Sequence, residues 1–286
     1  GRSRPPGCST ASAIFAAGQH RNVAGTGCIV VTGVKHPKMT ELTYEHPLNE
    51  KLRTYLRLEY LLAQLYSLQA LDSEWQQQAF FNTLFDLIEV LDRNDIRPDL
   101  IKDCERCETA LVAWANHPSV SDDKLQPVLQ QAVQLQSDLL RSNKFVVNLK
   151  DDKFLAPLRQ RFAIPGGTCY FDVPQLHYWL NLPLAQRRQT ADSWYSELGL
   201  LQLAISFVLG FSREKGQFSE LLAQNGFYQS NTEQHELLRI RYPPEAGVYP
   251  TVSGNKYRYA IRFMQLSDDS GRSNSAEDIS FKLACC

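Results

Sequence analysis

The chain has 286 residues, 43% hydrophobic and 21% charged, with 30 basic and 31 acidic residues and a formal net charge of −1. That length buries a sizeable core without disulfides or metals, and no apolar run approaches the roughly 18 residues that a membrane span needs. The composition therefore predicts a soluble globular protein with no membrane insertion. It also lacks the large positive excess of a general nucleic-acid binder, so any basic site has to be a local patch.

In chain order, residues 1–38 contain Arg2, Arg4, Arg21, Lys35 and Lys38 and no acid, which leaves 25 basic against 31 acidic residues, about −6, in the remainder. This stretch is rich in Gly, Ala, Ser and Thr and weakly periodic, and it reads as a non-native or disordered leader outside the fold. Met39 reads as the natural start, the leader then being appended or upstream-translated sequence. An acid-free leader with Arg and Ser also fits a transit peptide, and both origins stay open.

From residue 48 to about 213 apolar residues recur at three- and four-residue spacing, punctuated by Pro and Ser/Asp. Helices are expected over 48–71, 74–92, 98–116, 121–142 with Ser121 as cap, 151–163, 174–182 and 183–211, with Gly199 as the place for a break. After Gly226 the period changes to two, and strands are expected over 227–229, 236–242, 257–266 and 279–284. A further strand at 168–172 follows the Pro165-Gly166-Gly167 turn. The expected fold is α+β: an N-terminal and central helical bundle domain (39–165 and 173–224) with a mostly antiparallel C-terminal β-sheet domain (225–286), which the strand in 166–172 joins.

Chemistry is sparse along this chain. The seven cysteines, Cys8, Cys28, Cys104, Cys107, Cys169, Cys285 and Cys286, are odd in number, and the single C-x-x-C lies in a helical pattern with no second pair to complete a zinc site. The terminal Cys285-Cys286 pair reads as a strand end. No phosphate loop, nucleophile elbow or metalloprotease helix is present, and His46, His117, His177 and His235 are far apart. No catalytic residue, metal or cofactor is therefore predicted, and the protein reads as non-enzymatic.

The strand segments say more. In 256–263 one parity holds Lys256, Arg258, Ala260 and Arg262, and the other Tyr257, Tyr259, Ile261 and Phe263. The run 235–242 repeats this, with Arg239 and Arg241 opposite Leu238, Ile240 and Tyr242. If both strands share a sheet with matching faces, five cations gather on one surface of an acidic protein and suit an anionic partner. The plain alternative is that solvent-facing strand positions are simply polar. RNA platforms expose aromatic rings beside their cations, whereas here the rings alternate with the cations and point away, so an acidic protein segment fits better. In the first helix Arg53 and Arg57 stack four apart, on a helix apolar enough elsewhere to need cover on more than one side.

Read together, EHPLNEKLRTYLRLEYL, RQRFAIPGGTCYFDVPQLHYWL, NGFYQ, SGNKYRYAIRFMQL and the LACC terminus resemble the ZapD family of FtsZ-associated division proteins, from about residue 42 to the end. The resemblance implies a helical domain beside a β-domain, a symmetric homodimer in the cytoplasm at the midcell division site, binding to the C-terminal tail of FtsZ, and bundling of FtsZ filaments. By position it places FtsZ-binding candidates at Arg53, Arg57, Arg258 and Arg262, where pattern and resemblance agree. Arg93, Lys153 and His177 rest on the resemblance alone, Lys153 standing where a family member has arginine; Arg239, Arg241 and Lys256 rest on strand parity alone. The rival readings are an RNA-binding regulator using the basic sheet, although no nucleic-acid partner is expected, and a hydrolase built on His177 with Cys169 or Asp172.

Overall fold

The computed structural model describes residues 41–115, 122–232, 235–255, 257–267, 271 and 273–286. The leader, Met39, His117, the Ser121 cap and Lys256 lie outside the described residues. The chain divides into two compact units, one helical, Thr54–Gly210, and one formed by Phe211–Cys286 together with residues up to Arg53. Strands and helices together make the expected α+β fold.

The helices begin where local chemistry starts them. Asn49 accepts the Leu52 amide at 2.8 Å to open α1 (Glu50–Leu68), and Ser73 accepts the Gln76 amide to open α2 (Glu74–Arg93). Then follow α3 (Arg97–Ala115), α4 (Asp122–Arg141), α5 (Val147–Asp151) and α6 (Leu155–Phe162). The helix expected over 151–163 is α6, which starts after Asp152, whose carboxylate accepts the Phe154 and Leu155 amides; the short α5 before it was not expected. Pro174 occupies the first turn of α7 (Pro174–Leu180), and α8 (Leu184–Ser196) and α9 (Gly199–Lys215) part near Gly199 as expected. Among the described residues no single helix is long and apolar enough to cross a membrane.

The core of the helical unit is aromatic. Phe81 meets Phe85, Phe154, Phe162, Trp179 and Trp194 at ring-centroid distances of 6.1, 6.2, 5.9, 5.3 and 5.8 Å. Within it, the buried Tyr55 hydroxyl donates to the buried Asp103 carboxylate at 3.0 Å, and Arg106 donates to the same group at 2.9 Å. Along α1, Leu52, Tyr55, Leu58, Leu62 and Leu65 are buried within the single chain. Intrachain packing therefore covers most of the apolar excess seen in the sequence, leaving Tyr60 and Tyr66 exposed.

The strand expected at 168–172 is a chain of turns instead. Gly167, Cys169, Asp172 and Val173 donate to Ile164, Gly166, Cys169 and Cys169, so these backbone donors are spent locally and cannot join a ladder. Gly166 is left-handed at φ 72°, and a Cβ on Gly167 would lie 2.5 Å from the Arg161 carbonyl.

The β unit has two antiparallel sheets rather than one. The first, in the order β1-β4-β8-β2, comprises β1 (Leu42–Pro47), β2 (Ser219–Ala223), β4 (Leu237–Tyr242) and β8 (Ile279–Cys285). The second, β3-β6-β5, comprises β3 (Phe227–Asn231), β5 (Tyr249–Gly254) and β6 (Arg258–Gln265), with β7 (Ser273–Asn274) also on β6. One core cluster holds Leu238, Ile240 and Tyr242 of β4, Ile279, Phe281 and Leu283 of β8, and Tyr259, Ile261 and Phe263 of β6. Phe263 touches Tyr242 across the layers at 6.0 Å and Phe281 at 5.3 Å, so the sheets form a sandwich. Asn225 (φ 48°) and Gly226 (φ 67°) turn β2 tightly into β3 and carry the chain from one sheet to the other. Four of the strands, β1, β2, β5 and β7, lie outside the strand segments read from alternation, β2 in a stretch assigned to the helical domain.

Candidate protein-binding surfaces

β4 and β6 sit in different sheets that share a core, so their outward cations face opposite ways. The expected gathering of five cations on one surface is overturned. Alternation assigns a side chain to the inside or outside of its strand, but it does not say which sheet the strand enters.

On the first sheet the cations are met by acids. Glu45 of β1 stands in register with Arg239 of β4 and accepts from it at 2.9 Å. The same carboxylate accepts from Arg213 of α9 at 3.0 and 2.7 Å, and all three side chains are at most 23% exposed. Arg241 pairs in register with Lys282 of β8, which is bonded to Glu41 at 2.7 Å and lies in register with Glu220 of β2. The carboxylate of Glu41 raises the Lys282 ammonium above its usual pKa. The Arg241 guanidinium lies 3.8 Å from the centre of the Phe218 ring.

On the second sheet Arg258 and Arg262 are exposed as expected, while Tyr259, Ile261 and Phe263 point into the core. Register sets their neighbours: Arg258 faces Asn231, Ala260 lies between Gln229 and Ser253, and Arg262 lies between Phe227 and Thr251. None of these outward positions is acidic, and among the described residues neither guanidinium pairs with a carboxylate. Among the described strand residues two aromatics stand on this face: Tyr249, in register with Met264, and Phe227, whose ring centre is 4.9 Å from the Arg262 guanidinium. Gln229, Ser253, Gly254, Asn255, Arg258, Tyr259 and Ala260 line a shallow groove of about 310 Å³. The neutral members of this face escaped notice in the sequence because β5, with Pro250 and Gly254, does not read as a strand.

In the helical unit, Arg57 and Arg93 line one groove of about 470 Å³ between α1 and α2, with Thr54, Tyr60, Asp86 and Glu89. Arg93 is ion-paired with Glu89. Burial, and then the Glu89 charge, raise the Asp86 carboxyl above the usual carboxylate range. Arg53, in the β unit, bonds Glu50 at 3.2 Å. Beside it, burial and then the Arg53 charge hold His46 below the usual histidine value. Lys153 is exposed in the turn between α5 and α6, and His177 is exposed on α7 with its ring 4.5 Å from Tyr170. Asp172 lies 3.8 Å from Arg161.

The thiols of Cys104, Cys107 and Cys286 offer little reactivity. Cys104 and Cys107 are buried, and burial pushes the Cys104 thiol up to about 12 and that of Cys286 up to about 11. Among the described residues no three His, Cys, Asp or Glu side chains cluster as metal ligands would.

A family model for ZapD, described as a cell division protein, matches residues 56–262. Relatives that carry the name "Cell division protein ZapD" include the following three. That of Photobacterium profundum is 42% identical over 243 residues, which are 85% of this chain and 98% of the relative. Those of Vibrio vulnificus and Yersinia enterocolitica are each 41% identical, over 248 and 252 residues, covering 87% of this chain and 100% of theirs.

Proposed function

The chain belongs to the ZapD family of cell division proteins, and from that premise we propose that it binds the C-terminal tail of FtsZ and cross-links FtsZ filaments in the cytoplasm at midcell. The observation that carries this reading is the outward face of the second sheet, where Arg258 and Arg262 stand exposed with no acid at the positions in register beside them. Such a face attracts a carboxylate-bearing segment, and guanidinium groups bind carboxylates in bidentate fashion. The groove holding Arg57 and Arg93, with Arg53, Lys153 and His177, supplies further candidate contacts. Its own acids leave it less strongly basic.

The mechanism is binding without chemistry. A homodimer presents each site twice and so holds two filaments, and weak contacts repeated along a polymer add through effective concentration. Exposed charge contacts are screened, so bundling weakens as salt rises. The test is co-sedimentation of polymerised FtsZ with the wild-type protein and with Arg258→Glu/Arg262→Glu over a range of salt. The wild type is expected to bundle and to lose bundling with salt; the variant is expected to remain folded and fail to bundle. A folded variant that bundles like the wild type overturns the assignment to this sheet. A second reading, an RNA platform, draws on the outward ring of Phe227, and retention on single-stranded RNA would favour it.

A further inference from the structure

We infer that Ala260 is a specificity-determining floor, over which the main chain of an extended acidic segment runs between the two arginines; this rests on the tail-binding reading of the second sheet. Outward positions along β6 run Arg258, Ala260, Arg262. With a strand rise of about 3.3 Å per residue, the two arginine Cα atoms stand roughly 13 Å apart with the smallest side chain midway. Register puts Gln229 on one side of that methyl and Ser253 on the other, both exposed. The row is therefore low in the middle, flanked by an amide and a hydroxyl that each donate and accept, and guarded at both ends by a guanidinium.

Two arginines alone accept any pair of carboxylates, because their stems are long and their charge acts at a distance. What lies between them decides which segment seats. An uncharged, hydrogen-bonding, low floor suits peptide units flanked by acids. It disfavours a segment that places bulky side chains at that point. The groove of about 310 Å³ covers the Arg258 half of this row, from Arg258 to Ala260 with Gln229 and Ser253.

The test is fluorescence anisotropy of a labelled peptide of the FtsZ C-terminal tail, titrated with full-length Ala260→Leu, with Ser280→Leu on the outward face of the first sheet as control, and with Arg258→Glu/Arg262→Glu. Ala260→Leu adds bulk without charge and is expected to weaken binding roughly tenfold, the loss that disrupting a packed contact produces. Ser280→Leu is expected to leave binding unchanged. Normal binding by Ala260→Leu, together with loss in the double arginine variant, overturns the floor and leaves the sheet as the binding surface. Normal binding by the arginine variant overturns the second sheet as the tail-binding surface, and the floor with it; no binding by the wild type overturns the tail-binding reading itself. Should Ala260→Leu lose its native circular dichroism, Gln229→Leu in the same row takes its place, with the same weakening expected and the same normal binding overturning the proposal.

Discussion

The two outward faces of the sandwich begin from the same sequence device, a pair of arginines on the outward parity of one strand, and end with opposite electrostatics. On the first sheet Glu45 closes on Arg239 and Arg213, and Glu41 closes on Lys282. On the second, Arg258 and Arg262 have only neutral partners in register. Whether a strand cation is free for a ligand is thus a property of the residue across the ladder rather than of its own strand. Glu45 on β1 turns one basic strand into a structural clasp, and the lack of a carboxylate in the register beside β6 leaves the other basic strand as a surface.

The comparison breaks most completely at the core that both faces share. Phe263 is fully buried against Tyr242 and Phe281, so Phe263→Ala is expected to cost about 3–5 kcal/mol, measured as a fall in the urea midpoint. On the proposed tail-binding role, binding of the labelled FtsZ tail peptide, read by anisotropy, is expected to weaken with it, because a loosened sandwich no longer holds β6 in place. A smaller effect sharpens the contrast. Glu45→Ala leaves Arg213 and Arg239 partly buried without their carboxylate, and a loss of about 1–2 kcal/mol is expected, read from the same denaturation curves. If Glu45→Ala unfolds no earlier than wild type, the clasp is only a surface ion pair.

The smallest effect concerns pH. Burial first and the Arg53 charge second lower the His46 pKa from the ordinary 6.5, so the native state binds fewer protons there than the unfolded chain. Its contribution is complete above 6.5 and is lost as pH falls through the lowered value. Melting temperature should therefore drop between about pH 7.5 and pH 5.5, and His46→Gln should flatten that drop. An equal slope in the variant would place the titration elsewhere.

Most helices were legible because their signals are local: Pro174 at a first turn, the parting at Gly199, an apolar stripe on each segment. The inward and outward parity of β4 and β6 was legible for the same reason. What escaped was long-range. Nothing near Arg239 in sequence announces that Glu45, 194 residues earlier, will stand opposite it. β1 and β5 carry Pro47, Pro250 and Gly254, which suit edge strands and blur alternation. At 168–172 the glycines upstream let the backbone satisfy itself in turns, which a five-residue alternation cannot reveal. The basic candidates were named, but their division between free and clasped depended on register, and register is set by pairing partners distant along the chain.

The β unit is discontinuous, with β1 before the helices and the other strands after them, and this imposes an order on synthesis. During translation the whole stretch Thr54–Gly210 leaves the ribosome while β1 still has no partner. The strand that joins β4 to β2 in the first sheet, β8, comes last, so a chain released early has its helices but cannot complete the sandwich. The arginines of β6 consequently lie on a completed sandwich only once β8 has been made, and a ribosome that stops before β8 leaves the helices beside an unfinished basic face.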